Sequence, residues 1–405
     1  MTHEAALLGT LTVTLGFALL FGLIASRLRI PLLVGYLLAG IAVGPFTPGV
    51  VANTGLAAEL AEVGVILLMF GVGLHFSVGD LADVRGVVVP GAILEVVILG
   101  AIGAAIARSW GWSAGGCVMF GLSFSVASTI VLLRALEARG QLREPEGRIA
   151  VGWLIVEDIL MVLALVAVPA VLGLSSGHGA SVGALAGTLA LTLGKVVAFV
   201  LIMLLVGARL LPWLLTRVEQ TGSRELFTVA VLAVALVVAF GAAELFGVSI
   251  ALSAFVAGVV ANGSDVGRRA AADALPLRDA FGVLFFVSVG MLFNPSILLL
   301  EPGRVLIAVA LVMIVKPLVA FALLRVFRRP FRTALQVSAG LAQIGEFSFI
   351  LIGLAVTRGL LRGEARDLVL AGAIFSIMLN PLVFRAADWI ARRAGARGIS
   401  AAAAR

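Results

Sequence analysis

Charge, cysteine, lysine and tyrosine are all scarce in this 405-residue chain, and each scarcity narrows what it does. Charged residues make up 13% of it, against ~25% in an ordinary soluble domain, which is too few to clothe a water-facing surface. The single cysteine, Cys117, lies inside an apolar run and rules out a disulfide framework. No cluster of metal-ligating side chains and no nucleophile paired with a base stands in the apolar runs, so an enzyme reading has little support. A net charge of +7 comes without a basic aromatic patch or a folded polar segment, and nucleic acid is not an expected partner. No bound cofactor is expected either.

What is abundant is hydrocarbon. Hydrophobic residues reach 61% and the mean hydropathy is +1.18, in runs of about 20 residues that match the thickness of a bilayer. Alternating segments of roughly ten residues, the mark of a transmembrane barrel, do not occur. The chain therefore reads as an all-α polytopic membrane protein, because only helices satisfy their own backbone groups one segment at a time in lipid. The opening stretch "MTHEAALLGTLTV" has neither a basic n-region nor a small-residue cleavage site, so its apolar run is expected to be retained as a span.

Thirteen spans are predicted, near residues 5–26, 30–48, 56–77, 87–108, 113–135, 148–173, 183–208, 225–246, 248–264, 277–295, 303–325, 333–357 and 367–391. With the N-terminus outside, 22 arginines fall on inside segments and 5 on outside ones, which orients the chain N-out and C-in. That accounting leaves only Lys195 and Lys316, the two lysines of the sequence, and both lie within spans. Arginine stays charged wherever it is placed, whereas a buried lysine can lose its proton. Lys195 reads best as a side chain that snorkels or pairs within its helix. Lys316 lies near the middle of its span and precedes Pro317, which frees the carbonyl of Met313, and reads as functional.

Spans 1–6 and 8–13 form two sets of six, with span 7 as a linker, and the odd separation inverts one set relative to the other. The expected organisation is one transmembrane domain over 1–405, with inverted six-helix repeats at about 5–173 and 225–391 and a linker helix at about 183–208. Span 5, "GLSFSVASTIVLL", carries Ser125, Ser128 and Thr129; span 12, "GLAQIGEFSFILIG", carries Gln343 and Glu346 at a similar depth. Small and polar residues concentrated at mid-membrane favour unwound backbone, and paired irregular segments point to a transporter binding site. Packing through small residues is the competing explanation for span 5.

Span 6, "VGWLIVEDILMVLALVAVPAVLG", places Glu157 and Asp158 side by side in an apolar helix. An unpaired charge at that depth costs about 2.5–3.5 kcal/mol on insertion scales. Neighbouring helix positions point about 100° apart, so the two acids serve different tasks. An aspartate open to water on alternate sides binds a proton or a metal cation but not both, which is the minimal mechanism of exchange. Asp158 is assigned that role, and Glu157 is expected to pair with Lys316 at matching depth; a purely structural ion pair is the alternative for Glu157. Among the other acids, Glu59 and Glu62 are expected at the interface, and Glu95 and Glu244 as packing or pairing residues. Glu346 is expected to cap freed N–H groups in span 12. His75 is a possible pH sensor at the inner end of span 3, although an interfacial histidine without a role is the commoner case.

Seven stretches carry a resemblance: "PLLVGYLLAGIAVGPFTPG", "ELAEVGVILLMFGVGLHFS", "SFSVASTIVLLRALE", "GWLIVEDI", "GSRELFTVAVLA", "LPLRDAFGVLFFVSVGMLF" and "AQIGEFSFIL". Through them the chain resembles the Kef-type branch of the monovalent cation:proton antiporters, its YbaL-like subgroup in particular. The resemblance implies thirteen spans in inverted repeats, with spans 5 and 12 as crossed discontinuous helices. It also implies a moving bundle of spans 4–6 and 11–13 and a scaffold of spans 1–3 and 8–10 that forms a homodimer. By that pattern Asp158 is the cation- and proton-binding aspartate, Lys316 the buried basic partner, and Ser125, Ser128 and Thr129 line the ion site with Glu157. The expected cargo is K+ first and Na+ next, in exchange for H+, by an elevator-like alternating-access movement in the bacterial inner membrane. Kef-type proteins typically carry Gln at the place of Glu157, and a carboxylate there is more like electrogenic sodium/proton exchangers. They also carry a nucleotide-binding regulatory domain after the last span, which is expected to be missing from this chain. A gated cation channel and a non-transporting membrane sensor are the alternatives.

Overall fold

The computed structural model describes residues 3–28, 30, 32–49, 52–74, 78–175, 182–248, 250–262 and 265–403. Every regular element among them is a helix, with no strand among the described residues. Among the described residues eight helices are long and apolar enough to cross a membrane, and four shorter apolar ones (Leu32–Val43, Leu252–Ala261, Asp279–Met291 and Phe347–Thr357) accompany them. The sixth predicted span lies within the 31-residue helix Pro145–Ser175.

Several predicted boundaries move. The seventh segment runs on past residue 208 through a π turn at Met203–Gly207 into helix Ala208–Glu219, so Arg209 and Arg217 ride on a helix rather than in a loop. The tenth begins earlier, in helix Asp265–Met291. The thirteenth belongs to helix Gly363–Ala403 and continues through Pro381. Helix ends of this kind carry charged residues that hydropathy excludes from a span although the backbone stays regular.

The chain divides into two compact units, one comprising residues 1–82 and 158–293, the other residues 83–157 and 294–405. The division thus gathers predicted spans 4, 5, the first half of 6 and 11–13 into the second unit, and it falls between Glu157 and Asp158 inside one helix.

In the first unit glycine lets backbones meet. A Cβ on Gly40 would sit 2.1 Å from the carbonyl oxygen of Val287, and one on Gly258 would sit 2.1 Å from that of Phe70. Helix Leu32–Val43 therefore lies directly on helix Asp265–Met291, and helix Thr54–Gly73 on helix Ile250–Ala261. Lipid tails are as apolar as leucine, so this close van der Waals contact, rather than escape from water, holds such helices together.

The second unit contains two interrupted helices. The fifth predicted span is helix Ala114–Ser125, an extended stretch at 126–128, and helix Thr129–Ala138. The twelfth is helix Phe331–Leu341, an irregular stretch at 342–345, and helix Glu346–Thr357. Gly121 admits the same intimacy as in the first unit, its Cβ position lying 2.1 Å from the Gly100 carbonyl oxygen.

Gly258→Val is expected to lower stability by at least about 3 kcal/mol, since overpacking here strikes backbone that cannot rotate away. Gly241→Val, at a glycine with open space around it, should be near neutral; thermal melting of both purified variants in detergent checks the difference.

Candidate functional site

The two interruptions in the second unit touch each other. The Gly345 N–H donates to the Val126 carbonyl at 3.0 Å, and a Cβ on Gly345 would lie 2.4 Å from the Ala127 carbonyl oxygen. The side-chain amide of Gln343 donates to the carbonyls of Gly340 at 2.9 Å and Ser128 at 3.4 Å, so one side chain crosses from one break to the other. Unwound backbone in an apolar setting must find partners, and each break supplies some of the other's.

Side chains from neighbouring helices satisfy further groups. The Ala127 N–H donates to Oε2 of Glu157 at 2.8 Å. Lys316 Nζ donates to the Gln343 carbonyl at 3.2 Å. An acid therefore serves one break and a lysine serves the other, each by the polarity it can satisfy. Lys316 reaches that position from an irregular turn of its own: Leu311–Val315 is a π turn, closed by the Lys316 N–H on the Leu311 carbonyl, and Pro317 follows without a donor. Such π bulges re-aim the residues next to them and recur at functional sites.

Glu157 and Lys316 are both fully buried, and each lies in the other's field. A third charge-bearing residue joins them. Glu95, on helix Val78–Ser109, has 0% exposure, and the acids acting on Lys316 are Glu157 and Glu95 together. Trp153 locks the pair of acids in place: its indole N–H donates to Oε2 of Glu95, and it stands on the same helix face as Glu157, four residues earlier. Space for that indole comes from Gly91, where a Cβ would lie 2.3 Å from the ring.

The expected site residues thus sort themselves. Glu157, Lys316, Gln343 and Ser128 come together in the second unit. The Ser128 hydroxyl caps helix Thr129–Ala138 by accepting from the Val131 N–H at 3.3 Å, the Ser125 hydroxyl donates to the Leu122 carbonyl at 2.7 Å, and Thr129 is half-buried at the start of the second half-helix. Asp158 falls to the first unit, where it is buried with 5% exposure. Glu346 is the first residue of helix Glu346–Thr357, and His75 lies outside the described residues. Lys195, Glu59, Glu62 and Glu244 are exposed. Glu95, expected as a packing or pairing residue, is a buried pairing one, near the middle of a 32-residue helix; Trp153 is the residue for which the sequence carries no such signal.

Lys316→Met is expected to destabilise the protein by about 3 kcal/mol, because it removes the cation from a buried pair. Combining it with Glu157→Gln should restore part of that loss; melting curves of the two single variants and the double variant measure the coupling.

Residues 15–387 match the family model described as sodium/hydrogen exchanger, transmembrane. The chain is 56% identical over 384 residues to the Escherichia coli (strain K12) protein named as cation/proton antiporter YbaL, covering 95% of this chain and 69% of that one. It is 32% identical over 357 residues to K(+) efflux antiporter 4 of Arabidopsis thaliana, covering 88% of this chain and 59% of the plant protein. The fold is similar to two structures of the sodium proton antiporter MjNhaP1 from Methanocaldococcus jannaschii. One, at pH 8, has a TM-score of 0.61 at 19% identity over 95% of this chain and 96% of that one. The other, from electron microscopy, has a TM-score of 0.66 at 18% identity over 96% and 97%. With its all-helical, membrane-embedded architecture, the chain belongs to the transmembrane sodium/hydrogen exchanger family, whose members are cation/proton antiporters and not enzymes.

Proposed function

We propose that this chain exchanges a monovalent cation for protons by alternating access, with Asp158 as the shared site for both. The observation that carries the reading is the buried Glu157–Lys316 pair against two touching helix breaks, with Asp158 as the next residue on the same helix. Antiport needs a group that two cargoes cannot occupy together. A carboxylate has that property: a proton removes the charge that a cation requires, and a bound cation excludes the proton. Glue between helices alone would not need a second acid beside the paired one, since each buried charge is costly.

Glu157 is the partner of Lys316 in this mechanism, and its other task is to hold the Ala127 N–H. Keeping the ammonium engaged is the role proposed for Glu157, and binding the cargo is the role proposed for Asp158. Ser125, Ser128 and Thr129 are the proposed lining of the ion route, with Gln343 and Glu346 as support from the second break. Their carbonyls and hydroxyls are the hard oxygen donors that a desolvated alkali ion needs. K+ is the first choice of cargo because relatives are named K(+) efflux antiporters, with Na+ next.

The proposed movement is elevator-like: a bundle of spans 4–6 and 11–13, which includes Asp158, carries the cargo, and spans 1–3 and 8–10 form the scaffold and the surface for a homodimer. A unit whose backbone contacts leave no room for a methyl group suits a fixed frame. The distribution of arginines supports an inner-membrane orientation with the N-terminus outside.

In liposomes reconstituted with the protein and loaded with a pH dye, adding K+ or Na+ is expected to move protons, and adding choline is not. Asp158→Asn should reduce the signal to that of empty liposomes while leaving the melting temperature within a few degrees. Full exchange by that variant would end the assignment.

A further inference from the structure

The second unit buries one ammonium with two carboxyl groups, Glu95 and Glu157, and each of the three side chains has 0% exposure. The titratable groups acting on Glu95 are Glu157 and Lys316, and those acting on Lys316 are Glu157 and Glu95. With all three ionised the cluster would carry a net negative charge in an apolar interior, where an uncompensated charge costs several kcal/mol. A single proton makes it neutral.

The hydrogen bonds call for the same proton. Oε1 of Glu95 and Oε1 of Glu157 are both buried without a partner, although buried polar atoms are as a rule satisfied. Two ionised carboxylates are acceptors only and cannot help one another. A proton on one of these carboxyl groups makes it a donor as well as an acceptor. The two acids also differ in how they are held. Glu157 accepts a backbone N–H from a helix break, a bond that favours its ionised form, and Glu95 accepts from the Trp153 indole, with no backbone donor among the described residues.

We propose that Glu95 is a resident proton site: a neutral carboxylic acid inside the cluster, which leaves Glu157 and Lys316 as a matched pair of charges. This proton is distinct from the exchanged one, and in that clause alone the inference rests on the assignment of Asp158. Glu95 is therefore a positioning residue. It commits the ammonium to Glu157 without adding a net charge, and Gly91 and Trp153 exist to hold it there.

Infrared spectroscopy of the purified protein in lipid nanodiscs tests this without any transport, because a protonated carboxyl has a C=O stretch well separated from the carboxylate bands. At neutral pH the wild type is expected to show a buried-acid band that Glu95→Gln removes, Glu95→Asp displaces in frequency, and Asp158→Asn leaves in place. Lys316→Met should roughly double it, since both acids then become neutral. Absence of the band from the wild type, or its survival in Glu95→Gln, would overturn the proposal. Displacement by Glu157→Asp but not by Glu95→Asp would seat the proton on the other acid and overturn it equally. Glu95→Gln is close to isosteric with the acid and keeps an acceptor for Trp153, so this variant is expected to fold. None of these readouts depends on flux, so a failed exchange assay leaves the result intact, and a missing band leaves the exchange assignment intact.

Discussion

A lysine ammonium with no exposed surface dictates the arrangement of everything near it in the second unit. A charge withdrawn from water needs opposite charge and hydrogen-bond acceptors at once. Lys316 finds the acceptor in the Gln343 carbonyl and the opposite charge in Glu157 and Glu95. Each of those answers imposes a further demand. The carbonyl is available because the helix around it is interrupted, and the acids have to be brought from two different helices, Val78–Ser109 and Pro145–Ser175.

The interruptions are what make the site chemical rather than merely structural. An intact helix in lipid presents side chains and keeps its backbone to itself. At 126–128 and 342–345 the backbone is released, and its N–H and C=O groups become the partners of an acid, a lysine and an amide. Because the two breaks also bond to each other through Gly345 and Val126, neither can regularise without orphaning groups on the other. The same unit is tied at another point by Arg139, whose guanidinium donates to both Asp388 oxygens at 2.9 and 3.0 Å and to Gln336 at 3.1 Å, and lies over the Phe384 ring. Such saturated polar networks keep a packed arrangement unique.

The first unit has a different physical basis. Its helices are held by backbone approaching backbone at Gly40, Gly64, Gly73, Gly258 and Gly290. Contacts without side chains between them have little freedom to slide, and they require no charge. A frame and a polar, interrupted bundle thus coexist in one chain because the two units solve the burial problem differently.

Much of this was legible in the amino-acid sequence. Hydropathy determined the helical, membrane-embedded class, since lipid allows no other way to close so many apolar runs. The rarity of lysine singled out Lys316, and the cost of charge singled out Glu157. The clusters of small and polar residues in spans 5 and 12 marked both breaks. What the sequence left undecided depends on which residues distant in the chain become neighbours. Glu95 looked like Glu244 because both are lone acids in apolar runs, yet one is fully buried and the other is exposed. Trp153 carries no signal in the sequence, and its hydrogen bond to Glu95 gives it a role. The extension of the seventh segment to Glu219 and of the last helix to Ala403 was hidden because hydropathy ends where charge begins, while backbone hydrogen bonding does not. Composition and spacing determined that charges would be buried within apolar helices; the tertiary structure alone decided that Glu95 and Trp153 would join Glu157 beside Lys316, because that choice depends on packing between helices and not on any periodicity within one.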